Sequence, residues 1–303
     1  MPQGREVDRL ATIDQSRLPR YTQLVTALIG QTVAGFELLS CLGETRIGEL
    51  FLGHGEDGRC IVKVLRAELC TDRATVERAF ETARSAAALE HRGIERIVEA
   101  GWDGDHAYTL GDVVPGASAA ELLARRVFEP DSARTIVRLA ADALAAAHGA
   151  GLYHHALDPS VLYVGYASDR VQVRDFGVPA LLATTSDGAA ADVLALGGLA
   201  MTLMTGKPAD TSQSLRTLVP EIAVGFEELI AQMLSEDAAE RPTMAQVRDE
   251  LGGAPRVTVA IALPDPPRPA AARDVLAVMS ELALLASDEI TPPPGPPPEP
   301  DES

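Results

Sequence analysis

The feature that most constrains the fold is a change of texture at "DVVPG" (112–116). Before it, apolar residues come in short runs: "FELLSCLG", "GELFLGHG" and "RCIVKVL" between Phe36 and Leu65, then "IERIVEAGW" and "AYTLGDVV". Such runs, separated by turn signals, predict strands. "GEDG" at 55–58 reads as a hairpin turn, and "DGDH" bends the chain between the last two runs. One stretch among them, "RATVERAFETARSAAALE" (73–90), is rich in good helix formers and predicts a helix. After Gly116, "ASAAELLARR" and "DSARTIVRLAADALAAAHGAG" carry apolar residues at i, i+3 and i+4. Asp131 or Ser132 is the expected N-cap of the second of these helices, and Gly149 or Gly151 its stop. "VLYVG" and "RVQVRDFG" predict short strands, and helices resume from about Ala190 to Leu251.

The fold class is therefore α+β: a small β-rich lobe with one helix, followed by a larger helical lobe. A cleft between such lobes is where ligands usually sit. The expected organisation is an extension over 1–33 with a helix near "RYTQLVTALIG", a small lobe over 34–112 and a large lobe over 113–253. An extension with an amphipathic helix, "DVLAVMSELALLAS", occupies 254–287. The Pro-rich acidic end, "ITPPPGPPPEPDES", cannot build a core, and 288–303 is expected to be an extended, disordered tail. No internal repeat is visible.

Composition narrows the function classes. The formal net charge is -18, so a duplex nucleic acid or an anionic membrane surface is not the expected partner. Three cysteines without a C-x-x-C spacing argue against a disulfide framework or structural zinc and suit a reducing cytosol. The first twenty residues lack an apolar signal core. No run reaches the roughly 20 apolar residues that span a bilayer. The expectation is a soluble, cytoplasmic protein with no membrane span.

Several motifs follow one another in order. "LGETRIGELFLG" (42–53) sets Gly43 and Gly48 between two strand runs, where a backbone without Cβ can approach a phosphate. "CIVKVL" carries Lys63 on the next strand, ahead of the helix. "YHHALDPSVLYV" and "VQVRDFGV" follow in the second lobe. This order resembles the protein kinase superfamily, most closely the bacterial Ser/Thr kinases, from about Gly30 to Gly253.

The resemblance implies a bilobal protein kinase-like fold and specific roles. Gly43 and Gly48 match the first and third glycines of the phosphate loop, with Thr45 in place of the second. Lys63 matches the lysine that contacts the α- and β-phosphates, and the hinge backbone at Asp112 and Val114 would hold the base. The helix position that pairs with the lysine falls on Thr82. Glu81 precedes it, a step that turns the side chain by about 100°. The ion pair is then absent, or Glu81 supplies it after a local shift, or Lys63 pairs with Asp175 instead. Asp175 in "DFG" matches the metal-binding Asp, and Phe176 a packing residue beneath the helix.

In the catalytic loop, His154 matches the family's propping His, and Leu157, Pro159 and Leu162 its packing residues. The rest departs. His155 replaces an Arg, Ala156 the Asp that accepts the substrate proton, Asp158 the Lys at the γ-phosphate, and Val161 the Asn that holds a metal ion. The segment between Gly177 and Asp192 is short and lacks the family's P-E pair. Asp192 matches the Asp that begins the central helix, and Arg241 a late Arg whose usual Glu partner is missing. Gly111 falls where most relatives carry a bulky gatekeeper, which opens a back pocket or reflects packing alone.

Phosphoryl transfer depends on positioning and charge, and several parts are gone at once. The resemblance therefore implies a pseudokinase, a regulatory or scaffolding module that can keep ATP through Gly43, Gly48, Lys63, Asp112, Val114 and Asp175, with Mg2+ held weakly at Asp175 or not at all. Its partners would be proteins, such as an active kinase or another signalling protein. Two alternatives stand beside this: an atypical active Ser/Thr kinase with a carboxylate such as Asp158 as base, and a scaffold that needs no nucleotide.

Overall fold

The computed structural model describes residues 28–56, 58–165, 170–177, 188–210, 212 and 214–252. The expected helix near 20–30 for the most part, the segment 178–187, the helix at 274–287 and the Pro-rich tail lie outside them. By internal contacts the chain forms two units. Residues up to Arg73 and Val98–Gly111 make the first; Ala74–Ile97 and residues from Asp112 make the second.

The first unit rests on a six-stranded sheet in the order β1-β2-β3-β4-β6-β5. These strands are Thr32–Val33, Phe36–Glu44, Gly48–Gly55, Gly58–Leu65, Ile97–Asp103 and His106–Gly111 for β1, β2, β3, β4, β5 and β6. The short apolar runs read in the sequence become strands with one buried face. Val62 lies opposite Leu110 and Val64 opposite Tyr108, and the four pack with Phe51, Leu38 and Val33. Gly55 and Gly58 pair at the β3–β4 hairpin, where the turn signal stood. Strand β6 stops at Gly111, so the end of the predicted "AYTLGDVV" run is not strand. Cys41, Cys60 and Cys70 are free, and burial pushes Cys60 up to about 11.

The second unit is helical around a small antiparallel sheet, β7 (Gly116–Ser118), β8 (Leu162–Gly165) and β9 (Val171–Val173). Helix α1 is Arg73–Ala87, shorter than the predicted 73–90, and α2 is Ala119–Leu123, opened by a Ser118–Glu121 capping box. Helix α3, Pro130–Gly149, is the central element. Half of its buried residues are alanine, which lets α4 (Gly188–Thr205), α7 (Met244–Gly252) and β9 pack against it. Glu129, not Asp131 or Ser132, occupies its N-cap, with Pro130 next. Proline suits that first position because its fixed φ is helical and its missing N–H would be unpaired anyway. At the other end Gly151 turns left-handed (φ 74°), its N–H donating to the His148 carbonyl and that of Leu152 to Ala147.

Helices α5 (Leu215–Leu218) and α6 (Val224–Met233) complete the described set. By length and composition α4 is apolar enough to cross a membrane, yet Val193, Leu196, Leu199, Leu203 and Met204 belong to the second unit's core. A helix surrounded by protein needs apolar residues on most sides.

Candidate functional site

The loop after α3 is held by one carboxylate. Asp192, on α4 and 1% exposed, accepts the backbone N–H of His154 at 2.8 Å on Oδ2 and that of His155 at 2.8 Å on Oδ1. Nε2 of His148 stands 2.9 Å from Oδ2. His155 is thereby kept at φ 67°, a left-handed conformation that costs a non-glycine residue about 1 kcal/mol or more. His154 is fully buried. Its Nδ1 accepts from the Ala156 N–H at 3.4 Å, which leaves Nε2 to donate to the Arg174 carbonyl at 2.7 Å. Leu157 and Leu162 enter the core, and the Pro159 carbonyl receives the Ala120 N–H.

Burial holds His154 well below its ordinary value of 6.5, against the opposing pull of the Arg174 carbonyl and nearby carboxylates. The unfolded chain then binds a proton that the folded chain refuses. Stability should fall as pH drops through about 6.5 and below. Unfolding midpoints measured from pH 8 to pH 5 should show this slope, and His154→Gln should reduce it; an identical slope in both proteins would exclude His154 as its source.

Within this frame the positions matched to the family's reactive groups carry other side chains. Ala156 presents a methyl group. The Asp158 carboxylate accepts the N–H of Ser160 at 2.7 Å and its hydroxyl, a local turn. Val161 is buried in the core of the second unit.

Asp175 follows β9 at φ 69°, buried, with its N–H donating to Glu95 Oε2 at 3.1 Å. Phe176 lies edge-on to the His154 ring, 5.0 Å between centroids. Gly177 (φ 80°) backs directly onto α1: a Cβ there would stand 2.4 Å from the Ala79 carbonyl oxygen and 2.7 Å from Thr82 Cβ. Thr82 turns its hydroxyl back to the Arg78 carbonyl. Glu81 is exposed.

In the first unit Lys63 lies mid-strand, opposite Leu50 on β3 and Thr109 on β6, and is 2% exposed. The tip between β2 and β3 is closed on itself. Thr45 Oγ1 accepts the N–H groups of Ile47 and Gly48 at 3.3 and 3.2 Å, and the Thr45 N–H donates to the Gly48 carbonyl at 2.8 Å. Arg66 ties down the carbonyls of Thr45 and Arg46. Gly43 lies near the end of β2 and Gly48 at the start of β3, and the Gly48 amide is already taken.

On the hinge, Gly111 pairs with Ile61 at the end of β6. Asp112 is exposed and forms a 3.4 Å surface ion pair with Arg96. The Val114 carbonyl accepts the Tyr163 hydroxyl at 2.9 Å. Arg241 replaces a side-chain partner with carbonyls, donating to Ala190 at 3.0 Å and Ser235 at 2.9 Å.

The donor set does not suit a tightly held divalent cation. Mg2+ binds through carboxylates, phosphates and water, and here Val161 is apolar and Asp158 is engaged by Ser160. No group of three His, Cys, Asp or Glu side chains disposed for a metal occurs among the described residues. The fit to a nucleotide's phosphates is equally poor, because the hairpin amides that would donate to them are bonded within the tip.

Units of this topology, the second carrying a histidine-propped loop and a DFG turn, make a protein kinase-like fold, and the relatives and solved structures below support a place in the protein kinase-like superfamily for this chain. No protein-family model matches it. Bacterial kinases are among its curated relatives: it is 33% identical over 151 residues to the Ser/Thr kinase pkn2 of Myxococcus xanthus, covering 48% of this chain and 18% of that one. With PkaB of Streptomyces coelicolor it shares 28% over 197 residues, 61% of this chain and 47% of that one. The chain thus spans under half the length of both. Among solved structures, the kinase domain of Mycobacterium tuberculosis PknI matches with a TM-score of 0.64 and 26% identity, covering 74% of this chain and 98% of that domain.

Sequence reasoning missed Glu95, Tyr163, Arg174 and the role of the Thr45 hydroxyl. Each acts through a partner distant in sequence or through a hydrogen bond that the residue type alone does not announce.

Proposed function

We propose that this chain is a pseudokinase, a regulatory or scaffolding module that performs no phosphoryl transfer. The carrying observation is the contrast at 154–156: Asp192 anchors two successive amides and sustains a left-handed His155, while the next residue is Ala156. That backbone arrangement would serve to aim a side chain at position 156, and a methyl group can neither orient a hydroxyl nor accept its proton. Removing one such part costs orders of magnitude in rate, and Asp158 and Val161 remove two more. Asp158 makes a poor substitute base because Ser160 already occupies its carboxylate. A reducing cytoplasm suits the three free cysteines, and proteins are the partners we assign.

The test is transfer of labelled γ-phosphate. The purified chain, with ATP, Mg2+ or Mn2+ and several protein substrates, should label neither itself nor them. Labelling abolished by Lys63→Ala would sink the proposal and restore the reading as an atypical kinase.

A further inference from the structure

We propose that the residues present do not fit ATP: in the first unit Thr45 holds the hairpin amides, and in the second, separately, a Tyr163–Arg174 stack holds a hinge carbonyl. The inference rests on the kinase-like assignment and deepens the pseudokinase reading: regulation by this module would not depend on ATP.

The second unit carries most of the argument. Tyr163 on β8 aims its hydroxyl at the Val114 carbonyl, the hinge group expected to hold a base. Its ring fits because residue 116 is glycine: a Cβ there would stand 2.6 Å from Tyr163 Cε1 and 2.4 Å from the Val164 oxygen. The Arg174 guanidinium lies 3.4 Å from the Tyr163 ring centroid, a cation on a π face. Arg174 is 7% exposed, and Glu95 stands 3.9 Å from its Nε. Arginine keeps its charge when buried, so this stack and the nearby carboxylate make its environment tolerable. Glu95 also takes the Asp175 N–H, which ties the DFG turn to the same group. The surface beside Val114 is therefore a tyrosine ring capped by a guanidinium.

The first unit adds an independent closure. Phosphates bind through free backbone N–H groups of a loop. Thr45 Oγ1 has taken those of Ile47 and Gly48. Both closures are side-chain hydrogen bonds or stacking, so both can be removed by substitution.

The experiment compares the full chain with a Thr45→Gly/Tyr163→Leu/Arg174→Ala triple variant and with Tyr163→Phe/Arg174→Ala, which keeps the ring. Thermal unfolding midpoints are taken with and without millimolar ATP, each with Mg2+ or EDTA. The expected result is no ATP-dependent rise for the wild type and a concentration-dependent rise for a folded variant, since a ligand of the native state raises its midpoint. A rise in the wild type overturns the inference whatever the variants do. Absence of a rise in both variants, each folded by circular dichroism, overturns the assignment to these residues. Wild-type ATP binding without labelled protein would remove this inference and leave the pseudokinase reading standing; labelled protein would remove the latter.

Discussion

Asp192→Ala should destabilise the second unit by about 3–5 kcal/mol, because it strips the acceptor from two backbone amides and from His148 in a buried place. Domains are stable by only about 5–15 kcal/mol, so the variant should unfold early in urea. Asp192→Asn keeps the shape and one acceptor oxygen, and should cost less than the alanine. Two optical signals separate the units. The single Trp, Trp102, lies on β5 in the first unit, whereas most described helix lies in the second. Ellipticity at 222 nm should therefore shift to lower urea, and further than Trp102 fluorescence if the units unfold separately. Asp192→Ala with an unchanged ellipticity midpoint would mean that the carboxylate does not hold the loop.

Gly177→Ala should be comparably damaging for a different reason. The alanine would face a left-handed conformation, costing about 1 kcal/mol or more, and a collision with the backbone of α1 at 2.4 Å. Together these predict a loss of roughly 2–5 kcal/mol, read as a fall in the urea midpoint. Gly151→Ala is the matched control: its φ is 74° but no atom lies within 4 Å of the added methyl. That variant should lose only the conformational part, about 1 kcal/mol. Equal losses at the two positions would show that α1 yields to the Gly177 methyl group at little cost.

Both predictions concern residues whose importance was only half visible beforehand. Asp192 and the DFG glycine could be matched by resemblance, and the strands could be read directly. "GELFLGHG" became β3 with the same bounds, since a run of apolar residues ended by a turn describes a strand by itself. The N-cap, Glu129, was misplaced by two or three residues because Asp131 and Ser132 are good caps in isolation. Tyr163 and Arg174 gave no warning. Tyrosine in a strand and arginine before "DFG" are ordinary residues until the fold stacks them 3.4 Å apart. Glu95 was hidden in the same way, lying eighty positions from the Asp175 amide it receives.

The sequence by itself determined the succession of strands and helices, the frame of the loop at 154–162 and the loss of its polar groups at 156 and 161. Those properties depend on near neighbours and on which atoms a side chain possesses. Only the tertiary structure decided which groups remain available. It closed the hairpin tip with the Thr45 hydroxyl, directed Asp192 to two amides, packed Gly177 against α1 and set Tyr163 on the hinge carbonyl. Hydrogen bonding and burial of this kind join segments far apart in the chain, and a buried polar group takes whichever partner the packing brings to it.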